Sequence, residues 1–574
     1  MTSLMPRPSP SPGTIAPHAS RLGLPVLARR PSAWTIAAVA IASTVAVPIL
    51  AVVSSLASPA GEIWRHLLRT QLIELTINTL LLLTGVGAGV LALGTLLAWL
   101  VVHHQFPGRG IFEWALVLPL AVPAYVIGFV FLGHFDFAGP LQTGLRQILG
   151  PGARLPDPRS GWGVAFVMTL VFYPYVYMLA RTAFLEQAPG TLETARALGR
   201  GRFQAFLQVT LPMARPSLVA GTSLALMEAL ADFGTVATFG YRTYTEAIYR
   251  VWHGMFDRLA ATQLAVVLLG FAFLLILLER GLRGRARYAQ VRNHGQPFEP
   301  VRLTGLRAAA ACGVCATVAI AAFGIPVGQL LVWAGQTLAR TGLPSEFGLQ
   351  LRNSLWLAAV SATLACALAI VLAYAVRLHP TPGVTLAARF AAMGYAVPGA
   401  VIAVGVLLPL AWLDDALAGG LRTTFGVEAG LLLTGSAVGL VFAYLVRFLA
   451  VSFQSVEASL GKVPKNLDEA ARSLGINTGR TLRQVHLPLI RRGLLAALAL
   501  VFVDVMKEMP ATLLLRPFGL NTLAVGVWQF SAESLWEEAA VPALAIVAAG
   551  LLPVAFALRR MARPGRDLPL SPEA

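Results

Sequence analysis

Charge is what this sequence has least of. Only 12% of its 574 residues are Asp, Glu, Lys or Arg, against about 25% in soluble domains. With 56% hydrophobic residues and a mean hydropathy of +0.70, that shortage excludes a disordered chain and an ordinary soluble enzyme. Cysteine is nearly absent. Cys312, Cys315 and Cys366 are the three present, too few for a disulfide scaffold. Cys312 and Cys315 form a CxxC, but no second pair accompanies it and its flanks (AAACGVCATVAI) are apolar, so small helical residues are the better reading. Also missing is any GxxxxGK[ST] phosphate loop: Gly461-Lys462 lacks the upstream glycine, so nothing here cradles a nucleotide in that manner. The nine histidines, among them His18, His103, His104, His294 and His486, show no metal-ligand spacing and read as surface or boundary residues. No cofactor and no catalytic nucleophile are expected.

What is present is apolar length. At ~20 residues per span, the chain has room for about twelve membrane helices. Apolar runs place them near 34–53, 73–102, 112–133, 162–182, 214–238, 261–279, 306–333, 352–376, 386–413, 429–452, 491–514 and 540–558. The fold class is therefore an all-α polytopic membrane protein. Residues 1–33 form a basic tail, 34–280 a first six-helix half, 281–305 a basic linker, 306–560 a second half and 561–574 a second tail. The net charge of +17 stands in short clusters between apolar runs, without interleaved aromatics, which argues against nucleic acid. With the N-terminus inside, 31 of the 44 Lys and Arg fall on the cytoplasmic side, the bias a multi-pass protein needs to orient itself. Both termini are then cytoplasmic.

The chain contains itself twice. Asn78-Thr79-Leu80 recurs as Asn353-Ser354-Leu355, and Ala121-Val122-Pro123 as Ala396-Val397-Pro398, both 275 residues on. Six spans per half make the repeat parallel, related by an axis along the membrane normal, and a path between two such halves suits a transporter. The strongest duplicated signal is a loop. ETARALGRGRFQAFLQVTLP (Glu193 to Pro212) returns as EAARSLGINTGRTLRQVHLP (Glu469 to Pro488) at an offset of 276. Its pattern is a short helix, a glycine turn at Gly199 or Gly475, an amphipathic stretch, and a proline (Pro212, Pro488) in the first turn of the next span. Ala195, Ala470 and Ala471 keep one face thin enough for another surface to approach. A connection between spans needs only about two to eight residues, so a loop this long and duplicated has another purpose.

Four carboxylates lie inside spans. Glu228 and Asp232 are spaced i, i+4, on one face of a continuous helix, and an offset of 276 lands on Asp504 and Glu508, beside Lys507. Ionisable groups at depth face a bundle interior or an aqueous cavity. They read either as the polar lining of a path, suited to a cationic cargo, or as a local pairing with Lys507.

At the duplicated loop the sequence resembles the permease family of binding-protein-dependent ABC importers, whose "EAA" loop is Glu-Ala-Ala, three residues, Gly, nine residues, then Ile-x-Leu-Pro. The second copy departs only at Val485, the first at Thr194 and Val209. The resemblance implies the type I importer permease fold, with Glu193, Ala195, Gly199, Leu211, Pro212, Glu469, Ala470, Ala471, Gly475, Leu487 and Pro488 forming two coupling loops. It implies docking of those loops on two copies of a cytoplasmic ATPase, a bacterial inner-membrane location, and delivery of cargo by a periplasmic or lipid-tethered binding protein. The segments Ala229–Gly240, Thr245–Ala265 and Lys507–Leu544 look like the ferric-iron branch of fused permeases. Thiamine, polyamine and phosphonate permeases share the loop and remain alternatives. In this picture 240–260 and 515–539 lie outside, with Tyr241, Tyr244, Tyr249, Trp252, Trp528 and Trp536 facing the binding protein or the interfacial belt. An ion-coupled secondary transporter would share the repeat and the buried carboxylates, but not the two long loops.

Overall fold

A computed structural model describes residues 32–59, 61–187, 199–283, 300–426, 428 and 430–561. The first half is built on α1 (Ala33–Ser54), α2 (Leu72–His103), α3 (Ala124–Phe135), α4 (Gly161–Glu186), α5 (Leu211–Ala231) and α6 (Arg258–Arg283). In the second half α7 runs Gly305–Ala319 and passes through a π turn (Ile320–Gly324) into Ile325–Arg340. It is followed by α8 (Phe347–Leu378), α9 (Gly399–Phe425), α10 (Ala437–Gly461), α11 (Leu487–Lys507) and α12 (Trp536–Met561). Each helix of the first half thus has a counterpart six places later. Among the described residues nine helices are long and apolar enough to cross a membrane. The helices α5, α11 and α12 fall outside that set; α5 carries Arg215 and Glu228, and α11 carries Arg491, Arg492, Asp504 and Lys507.

The same triangle of packing recurs in both halves: α2 with α4 and α5, and α8 with α10 and α11. With lipid as solvent there is little hydrophobic drive between helices, so close approach of backbones matters more. Gly94 supplies it in the first half, where a Cβ would sit 2.7 Å from Val176 Cβ. The leading helices are exchanged. The first half's α1 packs on α8 and α9, while α7 packs on α12 and touches α3. A two-residue parallel bridge, His104–Gln105 with Val301–Arg302, ties the end of the linker to the exit of α2.

Several expected spans are broken where the sequence suggested continuity. The 112–133 run divides into a helix, Arg109–Ala115, a 3-10 turn, Leu118–Ala121, and α3 after Pro123. The 386–413 run divides in the same way at Pro398, because proline lacks the N–H that would continue the ladder. The 214–238 and 491–514 runs stop at Ala231 and Lys507 and resume as short helices, Gly234–Thr238 and Pro510–Leu515. The 429–452 run becomes helical only at Ala437. Before it, the buried Asp414 carboxylate accepts from the backbone N–H groups of Leu432, Leu433 and Thr434 at 3.1, 2.7 and 2.7 Å and holds them out of helix.

Candidate functional site

The second duplicated loop is a rigid corner. Helix Asn466–Ser473 carries Glu469, Ala470 and Ala471, and of the two alanines Ala471 is buried. Gly475 follows at φ +72°, a left-handed backbone where a Cβ clashes with the following carbonyl. Asn477 then caps the next turn through its side chain and Arg480 N at 2.9 Å. A π turn, Leu482–His486, leads into α11 at Leu487 and Pro488. The corner is fastened to the end of α8. Arg377 donates to Asp468 Oδ2 at 2.9 and 2.6 Å and to the carbonyls of Leu460 and Val463 at 2.8 and 3.0 Å. Tyr374 donates to Thr478 O at 3.1 Å. His486, expected at a surface or boundary, is instead completely buried, with Nε2 3.0 Å from Asp468 Oδ1. Burial holds its imidazole below the usual value of 6.5 and the nearby Arg377 adds to that, overriding the attraction of Asp468.

The first loop is described from Gly199, at φ +81°; Glu193 and Ala195 lie outside the described residues. Helix Arg202–Ala205 and a π turn, Phe206–Thr210, lead into α5 at Leu211 and Pro212. Both loops thus enter their span through an i→i+5 turn, a feature concentrated at functional sites. Here the contacts are aromatic. Phe206 packs against Trp99 and Phe184, with ring centroids 5.4 and 6.2 Å apart.

At the other end of α5 and α11 the four buried carboxylates meet. Glu228, Asp232, Asp504 and Glu508 all line one cavity of about 90 Å³ between the halves, with Tyr125, Tyr175, Tyr395, Arg447 and Lys507. Glu228 and Asp232 do not share a helix as their spacing implied. The first helix ends at Ala231, and Asp232 accepts from Thr235 N and Thr235 Oγ1 at 2.9 and 3.1 Å, starting the next short helix. Glu508 does the same for its own short helix, accepting from Ala511 N at 2.9 Å. The two cations come from the second half. Arg447 lies 3.3 Å from Glu508, and Lys507 lies 2.9 Å from Asp504. Gly399 makes room for the former pair: a Cβ there would stand 2.8 Å from Glu508 Oε1. Across the seam, Tyr395 of the second half donates to Glu228 of the first. Tyr125 Oη is buried in the wall without a hydrogen-bond partner among the described residues. Four carboxylates face two cations, leaving the centre formally acidic.

On the side opposite the loops, the segments read as outer surface are only partly so. Tyr244 is buried and shares a 2.7 Å hydrogen bond with Thr76. Tyr249 and Trp528 cluster with Phe233 across the seam, at 4.8 and 5.8 Å, and Trp536 stacks on Phe129 at 5.9 Å. Tyr249, Trp528 and Trp536 thus join the halves, while Tyr244 is held within the first.

The family model described as "Binding-protein-dependent transport system inner membrane component" matches the chain twice, over residues 90–287 and 368–565. The chain belongs to that family. Among curated relatives of this permease, "Fe(3+)-transport system permease protein FbpB 2" of Haemophilus influenzae is 30% identical over 86% of the chain and 91% of the relative. "Putative ferric transport system permease protein FbpB 1" of the same organism is 23% identical over 79% and 72%. The sulfate transport system permease protein CysT of Escherichia coli is 28% identical over 42% of the chain and 86% of its own length, a match of one half. Two fused permease halves in an all-α, multi-pass inner-membrane fold are thus the architecture. The relatives are transport components, not catalytic enzymes.

Two ionic residues of the permease gave no usable signal in its sequence. Arg447 falls at the boundary of a basic segment and reads as one more cytoplasmic cation, yet it is 7% exposed in α10. The other is Asp414, buried against the turn at 432–434. The three cysteines are free and helical, as read, with Cys315 and Cys366 buried. Among the described residues no group of three or more His, Cys, Asp or Glu could hold a metal ion.

Proposed function

We propose that this permease is the membrane subunit of an ATP-driven importer of ferric iron, taking its cargo from a binding protein and its work from two ATPase subunits docked on the duplicated loops. The observation that carries the reading is that α5 and α11 each bear a loop at one end and two path carboxylates at the other. Each has 21 residues, a rod of about 30 Å at 1.5 Å per residue. A shift of Leu211-Pro212 or Leu487-Pro488, driven by the closing of an ATPase pair, therefore reaches Glu228, Asp232, Asp504 and Glu508 as a rigid-body displacement. Opening the centre requires the Tyr395–Glu228 bond across the seam to break. The loops are on the cytoplasmic side in this reading, with both chain termini. Delivery of cargo is on the far side, where Phe256 and Phe518 stand 84% and 108% exposed as contacts for the binding protein.

The acidic surplus of the cavity supports a cation as cargo. An oxyanion, as in the name of the sulfate relative, would meet four carboxylates against two cations and be repelled. The ferric names of the relatives that match both halves point the same way and outweigh thiamine, polyamine or phosphonate.

The test is reconstitution of the chain with its ATPase and a ferric binding protein in proteoliposomes. ATP-dependent uptake of radiolabelled ferric ion is expected, with none of labelled sulfate or thiamine, and Glu228→Gln with Asp232→Asn should reduce it at least tenfold. Uptake of the oxyanion in place of iron would overturn the cargo. Uptake by the chain alone under an ion gradient would overturn the coupling.

A further inference from the structure

Away from the centre, a second hollow opens on the flank of the first half between α2, α5 and α6. It encloses about 820 Å³ and is almost entirely apolar, walled by Leu91, Leu96, Trp99, Leu218, Leu226 and Leu278. That volume lies within the ~300–1,000 Å³ of ligand sites. At its mouth, on the side of the duplicated loops, Arg215 is exposed and has no ion-pair partner among the described residues, whereas its neighbour Glu279 is engaged by Arg283 at 3.4 Å. Phe206 and Pro212 of the first loop form part of the same wall.

At the matching position of the second half, the exchanged α1 of the first half lies against α8. Trp34 at the start of α1 stands edge-on to Tyr374, the counterpart of Trp99, at 5.0 Å. Thr95 corresponds to the larger Ile370 and Leu226 to Phe502. In the first half, the start of α7 leaves Leu306 86% exposed. A deep apolar groove at bilayer depth with one unpaired cation at its rim matches an amphiphile with apolar tails and an anionic head.

We propose that this groove holds an anionic phospholipid, its acyl chains along the leucine wall and its phosphate at Arg215, so that a lipid braces the first loop where Trp34 and Tyr374 brace the second. The inference is independent of which cargo the permease carries.

The experiment uses the full chain in phosphatidylcholine nanodiscs containing a few mole per cent of phosphatidylglycerol with a photoactivatable acyl chain, followed by peptide mapping of the adducts. Adducts should concentrate on residues 91–99 and 215–226, and unlabelled phosphatidylglycerol should compete them away. Arg215→Ala, an exposed change that leaves the packing alone, should lower them about fivefold, the effect of one basic residue at an anionic headgroup. Thr95→Ile with Leu226→Phe should abolish them. Labelling no denser than on the exposed Leu331–Val332 face of α7, or unchanged by Arg215→Ala and equal with a phosphatidylcholine probe, overturns the proposal. So does a groove without adducts whose backbone amides are shielded from exchange by another part of the chain.

Discussion

The two halves place the same acids at the centre and different groups around them. Glu228 and Asp232 of the first half match Asp504 and Glu508 of the second, but Arg447 corresponds to Val171, Lys507 to Ala231, and Tyr395 to Leu120. Thus the charged groups of one half are carboxylates alone, while the other supplies carboxylates, both cations and the hydroxyl that crosses the seam. The loops diverge in the same sense. Arg377, Asp468 and His486 fasten the second, and the first has Val102, Leu192 and Thr210 at those positions. Duplicated geometry sets where a helix breaks and where a loop turns. Both ion pairs at the centre lie within the second half, which makes that half the reference against which the first half's carboxylates can move.

The sharpest way to break that comparison is Arg447→Leu. Removing one partner of a buried pair leaves the other charge uncompensated, at a cost of about 3–5 kcal/mol, and Glu508 is only 5% exposed. Folded permease recovered from membranes and its thermal midpoint in detergent should both fall steeply. Adding Glu508→Leu should restore most of the loss. Val171→Leu, the first-half counterpart, should behave like wild type. Equal stability of Arg447→Leu and wild type would mean that the second half is no more tied down than the first.

Backbone strain offers a smaller but cleaner comparison. Gly475 and Gly199 occupy the same left-handed corner, at φ +72° and +81°, where a β-branched residue costs about 1–2 kcal/mol. Gly475→Val should reduce ATP-dependent uptake more than Gly199→Val, because the Arg377 clamp keeps the second loop from relaxing. Membrane levels of both variants should match wild type. Equal losses would show that the clamp does not stiffen the corner.

How much of this was legible depended on whether the signal was local. The loops were, because Gly475, Pro488 and their spacing act within one stretch of chain. The repeat was, because Asn78 and Asn353 keep their registers. The helix breaks were not. Glu228 and Asp232 at i, i+4 imply a continuing helix, and only the side-chain bond from Asp232 to Thr235 N shows the carboxylate starting a new one. Nor was Arg447. Its partner Glu508 is remote in sequence, so position alone assigned the guanidinium to a cytoplasmic boundary. His486 failed for the same reason: its burial comes from α8, through Tyr374 at a ring distance of 5.5 Å and Arg377.

Tyr395→Phe sharpens the comparison at the seam itself. It removes a hydrogen bond to a charged acceptor, worth about 1.5–3 kcal/mol, without touching the pairs inside the second half. If that bond holds the centre shut, ATPase activity of the assembled complex in the absence of binding protein should rise several-fold, while the thermal midpoint changes little. A basal rate equal to wild type would leave the seam closed by packing alone, through Phe233, Tyr249 and Trp528.

The smallest expected effect is a dependence on pH confined to one loop. In the folded chain His486 binds its proton less readily than in a solvated one, through burial and Arg377, while Asp468 opposes the shift from 3.0 Å and Tyr374 packs on the ring. A histidine with a depressed value contributes attachment that is fully present above its ordinary value of 6.5 and is lost as pH falls through the lower, folded one. Amide exchange over residues 466–486 should therefore quicken as pH drops below that value, after correction for the intrinsic rate, while residues 199–210, with Thr210 at the matching position, keep their protection. His486→Phe keeps a ring of similar shape beside Tyr374 and removes the titration, so it should flatten the profile of the second loop without altering the first. Parallel profiles for the two loops in the wild-type protein would show that the histidine carries no proton-linked attachment, leaving Arg377, Asp468 and the Tyr374–Thr478 bond as the clamp.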